Sequence, residues 1–151
     1  MTPSPVPLHQ RASSRVHVRF AQQALAGDLR ESFYAPIDVV FAPNVVAVPE
    51  VVFVARDHLH IVGPKAINGV PDLIVEILSP STRRRDLGSK KALYERFGVP
   101  EYWTVDLRRH VLTACVLADG RYRCLDLADG VARSEAVPGL EVDVTALFAG
   151  L

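Results

Sequence analysis

Glu76 lies where a charged side chain is unexpected. It interrupts the apolar run LIVEIL at residues 73–78, which Ser79-Pro80 closes. Such a run of branched apolar residues is typical of a strand buried on both faces. Burying an unpaired carboxylate costs several kcal/mol or forces it to take up a proton. The sequence therefore predicts a partner for Glu76, either another side chain or a ligand.

A lysine on the following predicted helix is the candidate partner. The apolar side chains of that helix, predicted over residues 82–97, are Leu87, Leu93, Tyr94 and Phe97. At roughly 100° per residue, Lys90 falls at the centre of the apolar face and Asp86 falls on the same face. We therefore expect Lys90 to point towards the sheet that contains Glu76. The structural alternative to a catalytic site is an ion pair of Lys90 with Glu76, or with Asp86 at i, i+4.

A second carboxylate comes from the neighbouring predicted strand. Glu50 follows Pro49 and precedes the apolar run VVFV. Two carboxylates from adjacent strands suit Mg²⁺, which takes carboxylate oxygens and keeps several waters. Such an ion would lower the pKa of a water and stabilise charge on a phosphoryl oxygen. The lysine would orient that water and stabilise the developing charge. The residues taken alone leave a simpler role open for Glu50, that of a solvated strand start.

Hydrophobic periodicity and turn residues predict the elements that would position these side chains. They are an irregular lead-in at 1–8, a helix over 9–26, strands at 33–42, 45–55 and 71–78, a helix over 82–97, a strand at 101–106, a hairpin around 119–120 and a short C-terminal helix or strand. The first three strands have connections short enough for an antiparallel meander. The second helix is a crossover that makes the fourth strand parallel to the third. The predicted fold class is α/β with a mixed sheet, in a single domain spanning 1–151.

Composition excludes several classes of protein. The 17 basic and 17 acidic residues cancel, so contact with nucleic acid must come from a local patch rather than from a basic surplus. No apolar run approaches the roughly 18 residues that a bilayer span requires. The start has no apolar signal-peptide core, so a cytoplasmic location is expected. Cys115 and Cys124 fit no metal or redox spacing and are interpreted as small buried hydrophobes.

The segment PDLIVEILSPSTRRRDLGSKKALYERFGVPEYWTVD, residues 71–106, resembles the signature of the Uma-two family. This family is described as putative restriction endonucleases and belongs to the PD-(D/E)xK phosphodiesterase superfamily. The resemblance extends from PSPVPLHQ near the start to VPGLEVDVTALF near the end. It implies a restriction-endonuclease-like core of helix, three-stranded antiparallel meander, helix and parallel strand, with a C-terminal β-hairpin extension. Family members usually begin with a further helix and hairpin, which we expect this chain to lack.

The resemblance also implies a function and a set of site residues. The function is Mg²⁺- or Mn²⁺-dependent hydrolysis of DNA phosphodiester bonds, by a protein expected to form a homodimer. Glu50 and Glu76 would hold the metal together with the backbone carbonyl of Ile77. The lysine expected two positions after Glu76 is replaced by Leu78, and Lys90 would take its role. A catalytically silent binding or assembly module is the alternative, because Glu50 stands where the family usually has aspartate.

Several further residues lie near the predicted site. Asp72, His9 and Asp86 are candidates for its edge, although Asp72 fits a hydrogen bond to backbone at the strand entrance better. Arg83, Arg84 and Arg85 begin the second predicted helix. They fit either phosphate contact or a solvated face. The other histidines show no shared spacing for zinc ligands.

Overall fold

The computed structural model describes residues 7–29, 33–34 and 36–151, with the backbone alone at Phe33. Within these ranges the helices are α1 (Pro7–Ala26), α2 (Arg83–Leu87), α3 (Ser89–Phe97) and α4 (Val144–Phe148), and a 3₁₀ helix covers Arg56–Ile61. The strands are β1 (Phe33–Tyr34), β2 (Val39–Ala42), β3 (Val45–Ala47), β4 (Val51–Phe53), β5 (Ile67–Asn68), β6 (Leu73–Leu78), β7 (Glu101–Asp106), β8 (Val111–Ala118), β9 (Arg121–Cys124), β10 (Val131–Arg133) and β11 (Glu141–Asp143). The predicted lead-in lies outside the described residues up to position 6, and Pro7 and Leu8 already belong to α1.

The main sheet is mixed. Its strand order is β1-β4-β6-β7-β8-β9. Strands β6 and β7 are parallel, and the other neighbouring pairs are antiparallel. A parallel pair needs a crossover connection, and α2 and α3 supply it between β6 and β7. The predicted mixed α/β architecture is therefore confirmed.

The first predicted strands are not continuous. Proline has no N–H for a strand ladder, and Pro49 lies in the break between β3 and β4. Strand β3 joins a separate three-stranded sheet of order β3-β2-β5, whereas β4 joins the main sheet. The predicted strand at 33–42 is divided in the same way into β1 and β2, and its residue 35 lies outside the described residues. Each of these two predicted strands thus corresponds to two shorter ones in different sheets.

Strand β6 separates two layers of the core. Leu73, Val75 and Ile77 share one cluster with Val16 and Phe20 of α1. These two α1 positions are four residues apart, and with Ala24 they form the buried stripe of the helix. The alternate positions of β6 face α2 and α3, where Ile74 packs with Tyr94 and Tyr102. Because side chains alternate along a strand, Glu76 faces α2 and α3 as well.

The crossover helix is broken once. Gly88 separates α2 from α3 with φ −113° and ψ −98°, and a Cβ atom there would lie 2.8 Å from the Arg84 carbonyl oxygen. The prediction of a single helix over 82–97 was therefore wrong, because the backbone at Gly88 leaves the helical conformation. The predicted end is confirmed: Gly98 adopts φ 77°, and its N–H caps the carbonyls of Tyr94 and Glu95.

The two cysteines do not behave as predicted. Cys115 of β8 and Cys124 of β9 are directly opposed in register and form a disulfide. Cys115 is buried, but Cys124 is exposed. The interpretation of both as small buried hydrophobes was therefore wrong, because strand pairing brings together residues that sequence spacing does not relate. The tight turn at Asp119 and Gly120 joins the two strands, and both turn residues have positive φ.

The C-terminal segment is joined to the central strand β7 through a buried carboxylate. Glu101 is 1% exposed. Its Oε1 accepts hydrogen bonds from the backbone N–H groups of Glu135 (2.7 Å) and Ala136 (3.0 Å), and its Oε2 accepts one from the Trp103 indole (3.0 Å). The backbone of the segment before β11 thus donates hydrogen bonds to a buried carboxylate of the main sheet. In the described part of the chain, no helix combines the length and apolar character needed to cross a membrane.

Candidate active site

Glu76 is fully enclosed between the sheet and α3. Its residue is 2% exposed. The Lys90 ammonium forms an ion pair with Oε1, and the Tyr94 hydroxyl donates a hydrogen bond of 2.9 Å to the same oxygen. The partner that the buried carboxylate requires is therefore provided by two successive turns of one helix. Lys90 points at the sheet, as the helical rotation predicted.

Lys90 also serves a second buried carboxylate. Asp86 is 2% exposed, and its Oδ1 lies 3.6 Å from the Lys90 Nζ atom. The two ion-pair alternatives drawn from the sequence thus coexist in the structure. The Tyr102 hydroxyl donates to the Asp86 backbone carbonyl at 2.6 Å, which fixes the turn that carries the aspartate. One ammonium, 16% exposed along its side chain, is shared by two carboxylates that are shielded from water.

Burial dominates the electrostatics of this group. It raises the pKa of Glu76, and the charge and hydrogen bond of Lys90 act in the opposite direction. Burial, followed by the nearby Glu76 charge, raises the pKa of the Tyr94 phenol far above its ordinary value. The phenol therefore stays protonated at physiological pH and acts as a hydrogen-bond donor. Lys90 and Tyr94 together favour the ionised form of Glu76 that burial opposes.

Glu50 lies directly before β4, the strand that pairs with the strand of Glu76. It is a bend residue, and the register of β4 and β6 pairs the next residue, Val51, with Val75. The hydrogen bond from His17 is the largest cause of the lowered pKa of Glu50, and the charge of Lys90 contributes to it. The two predicted metal ligands thus come from the adjoining segments of β4 and β6.

His17 of α1 holds the Glu50 side chain. Its Nε2 lies 3.2 Å from Glu50 Oε2 and 3.1 Å from the Glu50 backbone carbonyl, and its Nδ1 lies 2.9 Å from the Ser13 carbonyl. Both ring nitrogens face acceptors, which favours the doubly protonated imidazolium. The hydrogen bond to Glu50 is the largest cause of the raised pKa of His17, and burial partly opposes it. His17 thus contributes a second cation to this edge of the sheet.

Asp72 lies apart from this group. Its Oδ2 accepts a hydrogen bond of 2.7 Å from the Ala55 backbone N–H, as the sequence predicted for the strand entrance. Its Oδ1 lies 2.9 Å from His58 Nδ1. His9 lies on α1, partly exposed, and its charge contributes to the lowered pKa of Glu50. Asp72 thus has a set of partners different from that of Glu76.

The three consecutive arginines differ from one another. Arg83 forms an ion pair with Asp106 at the end of β7. The side chains of Arg84 and Arg85 are exposed. Arg83 is thus held against the main sheet, and Arg84 and Arg85 extend into solvent.

Comparison with known proteins places this arrangement in a family. A family model described as "Putative restriction endonuclease", named Uma2, matches residues 1–145. The chain belongs to the Uma2 family. A similar solved structure is the crystal structure of a "putative nuclease belonging to DUF820" from Anabaena variabilis ATCC 29413, with a TM-score of 0.72 and 14% identity over 99% of this chain and 84% of that chain. At that identity the likeness shows a shared fold. No curated protein matches the sequence.

The donor atoms of this Uma2 chain suit a hard dication. The contacts of Glu76 with Lys90 and Tyr94 both use Oε1. Glu50 supplies a second carboxylate, and Ile77 follows Glu76 on the same strand. Across residues 7–29, 33–34 and 36–151, no group of three or more histidine, cysteine, aspartate or glutamate side chains is placed to hold a metal ion. Carboxylate and carbonyl oxygens are the kind of ligand that Mg²⁺ takes.

Sequence reasoning missed two members of this group. Tyr94 was assigned only to the apolar face of its helix, although a buried tyrosine hydroxyl usually needs a partner. His17 was set aside because it shared no spacing with other histidines. Its position next to Val16, at the border of the buried stripe of α1, was the available signal.

Proposed function

We propose that this Uma2 chain is a metal-dependent endonuclease that hydrolyses DNA phosphodiester bonds. The observation that carries the proposal is the buried Glu76 carboxylate bound by Lys90, on the strand that pairs with β4 directly after Glu50. Two carboxylates and a lysine at one strand pair have the chemistry of a phosphodiester-hydrolysing site. The family description supports the same class of reaction.

Mg²⁺ or Mn²⁺ would be held by Glu50, Glu76 and the backbone carbonyl of Ile77. When bound, the metal supplies a water of lowered pKa and neutralises charge on a phosphoryl oxygen. The chain's own groups do the positioning. Tyr94 and Lys90 hold Oε1 of Glu76 and so orient Oε2.

Lys90 has a second role in the proposed reaction. Its ammonium has three N–H donors, and Glu76 and Asp86 account for two directions. A donor that remains can orient the attacking water and stabilise charge that develops on the phosphate. His17 holds Oε2 of Glu50 from the α1 side and so orients this carboxylate.

A plasmid-nicking assay in Mg²⁺ or Mn²⁺ tests the proposal. We expect Glu76→Gln and Lys90→Met each to reduce the nicking rate by at least 100-fold, since each removes a group that the reaction needs. Glu141→Gln and Lys65→Met are matched controls, because both residues are exposed and lie outside the group. Equal nicking by the unmodified protein and Glu76→Gln, in preparations free of contaminating nuclease, would refute the mechanism.

A catalytically silent binding or assembly module is the second candidate. The observation that favours it is that Glu50 and Glu76 are already neutralised by His17 and Lys90. Calorimetric titration with Mn²⁺ separates the two candidates. The nuclease proposal requires Mn²⁺ binding that Glu50→Gln and Glu76→Gln each weaken, whereas a silent module shows no such dependence.

A further inference from the structure

Two adjoining cavities lie beyond the Glu76 site, where β6 and β7 end. Their volumes are about 370 Å³ and about 130 Å³. Both are lined by Leu78, Arg83, Asp106 and Arg109. The larger cavity also reaches Arg108. Together they form a recess with cationic walls that the proposed catalytic residues do not use.

A single carboxylate organises these cations. Asp106 is 8% exposed, and its Oδ2 forms the ion pair with Arg83. Its Oδ1 accepts hydrogen bonds from the backbone N–H groups of Arg108 and Arg109, both at 3.0 Å. The carboxylate therefore brings a side chain from α2 and the turn after β7 to one place. Arg108 and Arg109 contact Asp106 through backbone atoms, and the side chains of both arginines are exposed.

The recess is strongly positive for a neutral chain. The smaller cavity adds Lys91, so four cations line the two cavities. Asp106 is the sole acidic residue among the described residues that line them. The whole chain has 17 basic and 17 acidic residues. A local basic excess of this kind is the electrostatic footprint of phosphate binding.

The recess adjoins the proposed catalytic group on the same face of the sheet. The β6–β7 register pairs Glu76 with Thr104 and Leu78 with Asp106. At about 3.3 Å per residue along a strand and about 4.8 Å between strands, the Cα atoms of Glu76 and Asp106 are roughly 8 Å apart. Thr104 lines the smaller cavity. A nucleic-acid strand with a rise of about 3.4 Å per nucleotide spans this distance in two to three nucleotides.

We infer that the basic recess, defined as Arg83, Lys91, Arg108 and Arg109 around Asp106, binds the phosphate backbone of DNA adjacent to the bond that is cut. This inference rests on the proposed function and deepens it. Asp106 is a positioning residue in this arrangement, because it fixes the arginines without touching the ligand.

Fluorescence anisotropy with a fluorescein-labelled 20-mer DNA, single-stranded or duplex, tests the inference. The buffer contains EDTA, so binding is measured without metal or cleavage. The variant is Arg108→Gln/Arg109→Gln. The matched control is Arg121→Gln/Arg123→Gln, which removes the same charge from exposed residues. Because Cys124 lines the recess and side chains alternate along β9, Arg123 and Arg121 point to the opposite face.

We expect the Arg108→Gln/Arg109→Gln variant to bind DNA about tenfold more weakly than the unmodified protein. The slope of log Kd against log salt concentration should fall by about 2, since each lost phosphate contact removes roughly one released counterion. The control should bind within about twofold of the unmodified protein. Thermal unfolding of each variant verifies that the fold is retained.

The Asp106→Asn variant shows whether Asp106 affects DNA binding by positioning the arginines or only through its negative charge. Removing a negative charge strengthens DNA binding if charge alone matters, and it weakens binding if Asp106 holds the arginines in place. The inference therefore expects weaker binding.

The inference is overturned by equal affinity and salt slope of the Arg108→Gln/Arg109→Gln variant and its control. It is also overturned if the unmodified protein has no affinity for DNA in EDTA. Failure of the proposed function would appear in a different experiment, as a plasmid-nicking rate that Glu76→Gln leaves unchanged.

Discussion

Replacing Lys90 by methionine should leave two buried carboxylates without their shared cation. Methionine keeps the unbranched chain and most of the volume of lysine, so the change removes mainly the charge. Glu76 and Asp86 are each 2% exposed and cannot turn to bulk water. Lys65, which is exposed, provides the matched Lys65→Met control.

The magnitude follows from the geometry of the pair. Breaking a buried ion pair costs about 3–5 kcal/mol, because a charge is left without compensation. Glu76 keeps its hydrogen bond from Tyr94, and Lys90 is 16% exposed, so the low end of that range applies. We therefore expect the free energy of unfolding to fall by about 3 kcal/mol at pH 8.

The loss should depend on pH in a definite direction. Burial already raises the pKa of Glu76, and Lys90 opposes that rise, so Lys90→Met raises the pKa further. A carboxyl group with a raised folded-state pKa stabilises the fold at low pH, and this contribution is lost as the pH rises through that pKa. Protonation of Glu76 removes the unpaired charge, so the loss at pH 5 should be smaller than the loss at pH 8.

Urea unfolding at pH 5 and pH 8, followed by the fluorescence of the buried Trp103, measures both values. With a slope of about 2 kcal/mol/M, the midpoint should shift by about 1.5 M at pH 8. The double variant Glu76→Gln/Lys90→Met should be more stable than Lys90→Met at pH 8, since the unpaired charge of Glu76 is gone. Equal losses at both pH values, or no recovery in the double variant, would refute this account of the site.

Three further predictions concern the remaining contacts. Tyr94→Phe should lower the free energy of unfolding by about 1.5–3 kcal/mol in the same urea assay, since a hydrogen bond to a buried charge is lost. His17→Gln should cost about 0.5–1 kcal/mol near pH 6, because the Glu50 side chain is 41% exposed. The raised pKa of His17 means that this cost disappears as the pH rises above 6.5 through that pKa, and a cost that grows towards pH 9 would contradict the ion pair. The double change Cys115→Ser/Cys124→Ser should cost about 2–3 kcal/mol under oxidising conditions and little with a thiol reductant, as denaturation with and without the reductant will show.

The placement of Glu76 and Lys90 could be predicted because burial and helical rotation are local properties. A carboxylate inside LIVEIL has to be paired, and the apolar face of residues 82–97 fixes the direction of Lys90 even though Gly88 breaks the helix. The parallel pairing of β6 and β7 follows from the same crossover. These inferences need no knowledge of distant parts of the chain.

Contacts between distant segments could not be predicted in the same way. Two strands were each divided between two sheets, and only the fold shows which sheet each half joins. His17 reaches Glu50 because α1 packs on the end of β4, at a sequence separation of 33. The pairing of Cys115 with Cys124 depends on the register of a hairpin whose strands the sequence placed but did not align.

The carboxylate of Glu101 has a consequence for how the chain is made. The backbone N–H groups that satisfy it belong to Glu135 and Ala136, which leave the ribosome after every strand of the main sheet. Until those residues emerge, the central strand holds a carboxylate without its full set of donors. A chain stopped before residue 135 lacks these two donors, and we therefore expect it to be less stable than a chain that contains them.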